Sequence, residues 1–363
     1  MKVTRGFMFS RALLFCSLLL VLAGCERPPQ VENTRFLAFG TLVDLTIAGA
    51  SKDDAEKAAG ILEQDFLQMH RAWHAWDPGP LGRINRLIRE GETSFSAPPS
   101  LIRLIQLGSE LSIQSDRLFN PSIGNLVDAW GFHSNDPEGH RPPKQQRIDE
   151  LLSHNPQMSD LSLQGIELKS TNPAVKLDFG AFGKGYGIDL AIEHLKELGI
   201  DHAIINAGGD LRAIGSKNGQ PWRIGIRHPS GTGVLATLDV EGDESVFTSG
   251  DYERNFEWQG QRYHHIIDPR TGYPASGTRS ITVLHSKAVT ADAAATALFI
   301  AGPDGWQKIA HQMGIDHVLL VDDRGNLHMT PPMQKRLQFL ESTGNIMVSP
   351  PLSGNKRLST PAN

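Results

Sequence analysis

The clearest pattern near the start of the chain is a strand followed by a helix. Residues 43–47 alternate apolar and polar side chains, which is typical of a strand with one buried face. Ser51 stands where a helix N-cap is expected, with Asp54 three residues further on. Behind this cap, the apolar residues that recur at helical spacing are Ala55, Ala58, Leu62, Phe66 and Met69.

Helical and strand patterns then alternate along the chain. Helices are predicted at 101–112, at 185–198 with Gly199 closing the helix, at 291–300 and at 305–313. Strands are predicted at 203–206, 211–214, 222–226, 234–240, 280–284 and 317–321. Strands joined both by hairpin-length loops and by helices indicate an α+β fold. The chain has no G-x-G-x-x-G turn after a first strand, so a Rossmann dinucleotide site has no support.

The first 25 residues have the pattern of an export signal. Basic residues at positions 2, 5 and 11 precede an apolar run over 12–23, and small residues follow it. The run is too short for a comfortable membrane span. It ends in L-A-G-C, which resembles a bacterial lipobox in which Cys25 is acylated and becomes the new N-terminus. The alternative is an ordinary signal peptide with a cysteine there by chance.

These signals divide the chain into four expected segments. They are a signal peptide at 1–24, a lipid-anchored tether at 25–33, one folded domain at 34–340 and a loose, polar tail at 341–363. The only other cysteine is Cys16, inside the segment to be removed. The mature chain would therefore form no internal disulfide and no zinc–thiolate site.

Composition excludes several classes of protein. Hydrophobic residues make up 39% of the chain and charged residues 21%, as in a globular body rather than a disordered or multispanning one. The net charge of −5, without a Lys/Arg cluster, offers no basic surface to nucleic acid. Composition therefore indicates a globular protein that does not bind nucleic acid.

A first candidate segment runs L-D-F-G-A-F-G-K-G-Y-G-I-D over 177–189, from a short strand through a glycine loop into a helix. Glycines let the backbone approach a ligand closely, and a helix N-terminus attracts anions. Lys184 would add a cation for a phosphate, and Asp178 an acceptor for a ring or ribose. A plain strand-to-helix turn with a surface lysine explains the segment equally well.

Two further segments lie between predicted strands. N-A-G-G-D-L at 206–211 reads, when taken alone, as a tight turn. T-S-G-D-Y-E-R at 248–254 leads into Y-H-H-I-I-D-P-R-T-G at 263–272. There His265 is a candidate general base, because the ordinary pKa of histidine lies near neutrality. A histidine that only bonds to the backbone is the structural alternative.

The last candidate segment is T-A-D-A-A-A-T-A at 290–297. On a helix, Asp292 and Thr296 share one face because they are four residues apart. One carboxylate and one hydroxyl, completed by carbonyl and phosphate oxygens, suit Mg²⁺. The alternative is an acid that is favoured only by the dipole at a helix N-terminus.

Together these segments resemble the ApbE-type FAD:protein FMN transferases, formerly described as thiamine-biosynthesis lipoproteins. The resemblance covers roughly 35–338. It implies a single compact mixed α/β domain with a ligand cleft. The five segments that match the family's motifs, in order, are 178–186, 206–211, 248–254, 265–272 and 291–297.

The resemblance also implies roles for individual residues. His265 and Asp292 would be catalytic, and Mg²⁺ would be held by Asp292, Thr296 and the carbonyls of Ala181 and Ala295. The residues expected to contact FAD are Phe39, Trp76, Leu118, Phe119, Asn120, Asp178, Lys184 and Ile266.

Three of these positions depart from the family's pattern. Phe39 replaces a methionine, Trp76 a tyrosine and Asn120 an aspartate, and all three changes cluster around the flavin or adenine pocket. The metal and glycine-loop motifs are intact.

The activity implied is Mg²⁺-dependent transfer of FMN from FAD to a threonine of an acceptor protein, with release of AMP. The expected acceptors carry S-x-A-T-type motifs, such as subunits of sodium-pumping or related electron-transfer complexes. The expected location is the periplasmic side of a bacterial membrane, with the inner membrane favoured. Hydrolysis of FAD to FMN and AMP, or binding of FAD without catalysis, are the alternatives, and the intact Asp292–Thr296 pair argues against pure binding.

Overall fold

The computed structural model describes residues 31–133, 140–230, 232–240, 242–340 and 344–352. The predicted signal peptide and Cys25 lie outside these residues. Its helices are α1 (Lys52–Trp73), α2 (Pro80–Arg89), α3 (Pro99–Gln114), α4 (Gly124–Ala129), α5 (Gln145–Ser153), α6 (Gly183–Glu197), α7 (Ala288–Met313) and α8 (Pro331–Arg336), with a 3₁₀ turn at Met158–Asp160. None of the helices in these ranges is long and apolar enough to cross a membrane.

The strands follow one another along the chain in four sheets. They are β1 (Val31–Ala38), β2 (Thr41–Ala48), β3 (Ser94–Ser96), β4 (Leu161–Gln164), β5 (Glu167–Ser170), β6 (Ala203–Ala207), β7 (Asp210–Ile214), β8 (Trp222–Arg227), β9 (Val234–Val240), β10 (Glu244–Gly250), β11 (Asn255–Trp258), β12 (Gln261–His264), β13 (Thr278–His285), β14 (His317–Asp322), β15 (Leu327–Met329), β16 (Gln338–Phe339) and β17 (Ile346–Val348).

One nine-stranded sheet organises the domain. Its strand order is β1-β2-β6-β7-β10-β13-β14-β15-β17, and all neighbours are antiparallel except β15 and β17. A large apolar core fills one face, against α1, α3, α6 and α7. A second core fills the other face, where the small sheet β16-β9-β8 packs. The expected mixed α/β domain is thus confirmed, with its sheet between two cores.

Local signals in the sequence placed many of these elements well. The Ser51 hydroxyl accepts a hydrogen bond from the Asp54 N–H at 3.2 Å and caps α1, as predicted. The helix predicted at 101–112 lies inside α3, and Gly199 follows α6 with a φ of 79°. The two helices predicted at 291–300 and 305–313 form one element, α7, which bends at Gly302 and Pro303.

The predicted domain, 34–340, is too short at both ends. Residues 31–33 of the expected tether belong to β1, where they pair with β2. Residues 346–348 of the expected tail pair in parallel with β15 as β17. In both cases the sheet supplies backbone partners that the polar surroundings of these short segments do not reveal.

The crossing of α6 and α7 is the tightest contact near the cleft. The Gly185 N–H, in the first turn of α6, donates to Asp292 Oδ2 of α7 at 2.9 Å. In return, Asp189 of α6 accepts from the first N–H groups of α7, Ala288 at 2.8 Å and Val289 at 3.0 Å. Each helix therefore supplies the carboxylate that satisfies the other's N-terminus.

Glycine is required where the two helices meet. A Cβ on Gly185 would lie 2.4 Å from the carbonyl oxygen of Ala288 and 2.8 Å from the Cα of Val289. Both obstacles are backbone, so neither can rotate away.

Behind the crossing, Arg212 is only 1% exposed and donates to Asp189 at 2.5 Å and to Asp243 at 2.7 Å. The charge that caps α7 is itself neutralised inside the protein.

Replacement of Gly185 by alanine is expected to lower the free energy of unfolding by about 3 kcal/mol, because the added methyl forces two helix backbones apart. Urea unfolding followed by circular dichroism measures the change. Gly60→Ala is the matched control: Gly60 lies in α1, and a Cβ there would meet nothing within 4 Å. That variant should gain up to about 1 kcal/mol from helix propensity. Equal stabilities for the two variants would contradict the account of the crossing.

Candidate functional site

A cleft of about 580 Å³ opens beside the α6–α7 crossing. Its wall includes the tip of the β1–β2 hairpin, the segment before α6, the segment after β10, and one face of α7. Nearly all the residues predicted from the sequence line it. They are Phe39, Trp76, Leu118, Phe119, Asn120, Asp178, Ala181, Lys184, His265, Ile266, Asp292 and Thr296.

Ala295 is the one predicted residue within the described ranges that does not line the cleft. It is 1% exposed and belongs to the core around α7. Its neighbours Asp292 and Thr296 lie on the side of the helix that faces the cleft. A role for the Ala295 carbonyl stays a prediction.

Lys184 and Asp210 join two of the sequence motifs. Lys184 Nζ forms an ion pair with Asp210 Oδ2, and Asp210 Oδ1 accepts the Thr248 N–H at 2.9 Å. Burial disfavours the charge on Lys184, but the carboxylates of Asp210, Asp292 and Glu253 outweigh it and raise the pKa of this lysine. The ammonium group therefore remains charged in the cleft over the physiological range.

Asp292 combines burial with a free coordination position. Burial raises the pKa of Asp292 well above its usual value, although Lys184 and the Gly185 N–H oppose this shift. Among the described residues, the Gly185 N–H is the one hydrogen-bond donor to this carboxylate, and it uses Oδ2. Oδ1 is thus left for a ligand, and Thr296 stands one helical turn further along the same face.

This donor set fits a hard divalent cation. Asp292 supplies one carboxylate and Thr296 one hydroxyl, while Lys184 balances part of the negative charge nearby. The described ranges contain no group of three or more His, Cys, Asp and Glu side chains that could hold a metal. Oxygen ligands of this kind, completed by phosphate oxygens, match Mg²⁺ better than zinc.

His265 has the protonation state that a base requires. Its Nδ1 lies 3.2 Å from the Arg254 carbonyl oxygen, so Nδ1 carries the proton and Nε2 keeps a lone pair. Desolvation in the cleft, followed by the charge of Arg254, lowers the pKa of His265 well below 6.5. The ring is therefore neutral at neutral pH and can accept a proton.

Glu253 belongs to the 248–254 motif, but the sequence predicts no role for it. Its carboxylate lines the cleft and makes no hydrogen bond or ion pair with any described residue. Desolvation raises the pKa of Glu253 to about 7, with Asp210 adding to the shift and Lys184 opposing it. A carboxylate without a partner, next to charged groups in a cleft, is a functional candidate. Its place in the 248–254 motif was the signal in the sequence.

Two arginines add positive charge to the wall near Lys184. Arg227 and Arg254 are exposed, line the cleft, and form no ion pair with a carboxylate in the described part of the chain. The guanidinium of Arg227 lies 6.0 Å from the ring of Tyr252. Unpaired guanidinium groups at a cleft wall suit phosphate oxygens.

Other predicted residues shape the cleft rather than offer it polar groups. Phe39 stacks on Trp73 with ring centroids 5.8 Å apart. The side chain of Asn120 donates to the Pro156 carbonyl at 2.9 Å and accepts from the Ser122 N–H at 3.1 Å. Both polar atoms of that amide are therefore already hydrogen-bonded within the protein. Asn120 contributes to the wall of the cleft without offering a free polar group to a ligand.

The carboxylate of Asp178 forms a hydrogen bond within its own loop. Its Oδ1 accepts the Gly180 N–H at 2.9 Å, which fixes the turn before α6. Burial raises the pKa of Asp178, although Arg254 and Lys176 oppose the shift. The second carboxylate oxygen is the one left to meet a ligand.

Comparison with known proteins agrees with this site. The profile of the ApbE family matches residues 39–319. A FAD:protein FMN transferase of Rhodobacter capsulatus is 42% identical over 331 residues, which is 89% of this chain but 62% of that protein. The chain thus spans less than two thirds of that relative. One from Klebsiella pneumoniae is 33% identical over 77% of this chain and 84% of its own length.

Solved structures show the same fold. The ApbE protein of Thermotoga maritima superposes with a TM-score of 0.77 at 32% identity, over 85% of this chain and 99% of that one. The flavinyl transferase ApbE of Pseudomonas stutzeri gives 0.73 at 28% identity, over 85% and 97%. With a family profile that covers most of the chain and the cleft built from the family's motifs, this protein belongs to the ApbE family.

Proposed function

We propose that this protein transfers FMN from FAD to a threonine hydroxyl of an acceptor protein, with Mg²⁺ as cofactor and AMP as leaving group. The observation that carries the proposal is the α6–α7 crossing. It presents the Asp292 carboxylate, the Lys184 ammonium and a helix N-terminus to a cleft whose wall also carries aromatic and apolar side chains. A ligand with a pyrophosphate between two flat rings matches that combination.

The reaction follows from the groups in the cleft. The threonine oxygen attacks the phosphorus on the FMN side, a new P–O bond forms, and the bond from that phosphorus to the bridging oxygen breaks. The bridging oxygen leaves with AMP. The Nε2 atom of His265 takes the threonine proton, because its Nδ1 proton is held by the Arg254 carbonyl.

Charge neutralisation accounts for most of the remaining catalysis. Lys184, Arg227 and Arg254 would bind the negative oxygens of the pyrophosphate and hold the reacting atoms in line. Asp292 and Thr296, with the carbonyls of Ala181 and Ala295, would hold Mg²⁺. When bound there, the cation neutralises the pyrophosphate and the leaving oxygen.

The test uses the purified full chain with FAD, Mg²⁺ and a protein carrying an S-x-A-T-type threonine motif. A denaturing gel viewed by flavin fluorescence should show a labelled acceptor band that requires Mg²⁺. The band should vanish when the acceptor threonine is replaced by alanine. Free FMN without a labelled band would instead identify an FAD pyrophosphatase, and binding of FAD with no product would identify a non-catalytic FAD-binding protein.

A matched pair of variants on α7 sharpens this test. Asp292→Ala should reduce the rate of labelling at least roughly a hundredfold, because it removes both the proposed metal ligand and the acceptor for the Gly185 N–H. Asp304→Ala, at an exposed position on the same helix, should leave the rate unchanged. Full activity in Asp292→Ala would contradict the metal assignment.

The pH profile distinguishes the two candidate bases. A base works only when deprotonated, so kcat/KM falls as pH drops through its pKa in the free enzyme. With His265 as base, the fall lies below pH 6.5, because its pKa is lowered. With Glu253 it lies near pH 7. We expect the lower position, and we expect Glu253→Gln to keep it when kcat/KM is measured from about pH 5 to pH 8. A fall near pH 7 that disappears in Glu253→Gln would transfer the role to Glu253.

Cys25 is proposed to carry a lipid that holds the enzyme on the periplasmic side of a bacterial membrane, the inner one favoured. The support is the basic start, the apolar run and the L-A-G-C ending. In bacteria fed radiolabelled palmitate, the wild-type chain should incorporate label and Cys25→Ala should not. An unlabelled wild-type chain would refute the anchor.

A further inference from the structure

The aromatic end of the cleft contains a side-chain cluster that the proposed reaction does not use. Trp76 lines the cleft, and its indole N–H donates to Asp128 Oδ1 at 3.3 Å. The same carboxylate accepts from Lys176 Nζ at 3.2 Å and lies 3.1 Å from the Nδ1 of His133. Asp128 thus binds three side chains from three parts of the chain.

The ring of Trp76 is also fixed through its π system. The ammonium of Lys176 lies 5.2 Å from the centroid of the indole, within range of a cation–π contact. The ring of His133 stacks beside it, with centroids 6.1 Å apart and planes inclined by 26°. The indole is therefore held at its edge by Asp128 and at its ring by Lys176 and His133.

The backbone supports this cluster closely. Asp128 lies on α4, and the first residue of that helix, Gly124, donates its N–H to the Lys176 carbonyl at 2.9 Å. A Cβ on Gly124 would lie 2.6 Å from the same carbonyl oxygen. Lys176 also lies two residues before Asp178, in the segment that leads to the glycine loop. Lys176, which supports Trp76, and the glycine loop before α6 therefore belong to one continuous stretch of backbone.

The hydrogen bond of the indole decides what Trp76 can offer a ligand. Because Asp128 already takes the N–H, the residue has no donor left, and the part of the indole that lines the cleft offers a ligand ring surface only. The wall of the same cleft also includes five apolar residues, namely Leu118, Phe119, Ile123, Val127 and Phe132. Such a surface suits a flat heteroaromatic ring that stacks.

We propose that Asp128, with Lys176, is a positioning residue that holds Trp76 as a preorganised stacking platform for one planar ring of the dinucleotide. This inference rests on the proposed function for its ligand. Without the carboxylate, the indole would gain rotational freedom and an unpaired N–H, and the ligand would have to order the ring on binding.

Calorimetric titration with FAD, FMN and ADP tests the platform apart from catalysis. Asp128→Ala should weaken binding of FAD, and of either FMN or ADP but not both, by roughly tenfold, the scale of one stacking contact and its preorganisation. The ligand that loses affinity identifies the ring on Trp76. Lys176→Met, which keeps the Asp128–Trp76 bond, should weaken the same ligand by a smaller factor.

Two further variants separate positioning from a general structural effect. Asp128→Asn keeps an oxygen that can accept the indole N–H, so it should restore most of the affinity. Asp149→Ala, whose side chain pairs with Gln145 on α5 away from the cleft wall, should bind all three ligands like wild type. In steady state, Asp128→Ala should raise KM for FAD while kcat changes by less than about threefold.

Unchanged affinities in Asp128→Ala would overturn the inference, as would an equal loss for FMN and ADP. A wild-type protein that binds none of the three ligands would overturn the proposed function, and the platform with it. Wild-type transfer activity together with unaffected binding in Asp128→Ala would refute the platform alone.

Discussion

Two carboxylates hold the crossing of α6 and α7, and the cleft depends on that crossing. Asp189 of α6 accepts from the first two N–H groups of α7, and Asp292 of α7 accepts from the Gly185 N–H of α6, so each helix satisfies part of the other's N-terminus. The absence of a side chain at Gly185 brings the backbones close enough for both hydrogen bonds. As a consequence, Asp292 Oδ2 accepts the structural hydrogen bond from Gly185, and Oδ1 is left for a ligand in the cleft. Asp292 therefore combines a structural role at the helix crossing with the proposed role of metal ligand.

Charge is distributed unevenly along the cleft. At the α6 end, Lys184, Asp210, Glu253 and Asp292 form a compact group of mixed sign, and the pKa values of Lys184, Glu253 and Asp292 are all raised. On the wall of the same cleft, Trp76 contacts Asp128, Lys176 and His133. The phosphate oxygens of a ligand are expected beside Lys184 rather than against apolar side chains, because burying their charge against carbon is costly. The neutral His265 lines this cleft as well.

Local rules explain what could be predicted from the sequence. The Ser51 cap, the α3 periodicity and the glycine after α6 each depend on residues a few positions apart, and each was found. The motif residues also came together, since resemblance to a family carries tertiary information that periodicity lacks. What escaped prediction depends on distant partners. Trp76 meets Asp128 across 52 positions, and β17 becomes a strand only because β15 offers a free edge.

The order of strands in the large sheet has a consequence for how the chain reaches this structure. β2 pairs with β6 in a register that sets Ile47 opposite Ala203, and β17 closes the far edge from near the end of the described chain. The sheet therefore grows from pairings between remote segments, which are slow to form because long loops must close first. The helix crossing that creates the cleft packs against β7, β10 and β13, so the complete cleft requires these strands to be paired. A molecule whose sheet is not yet assembled would therefore lack the site for the dinucleotide.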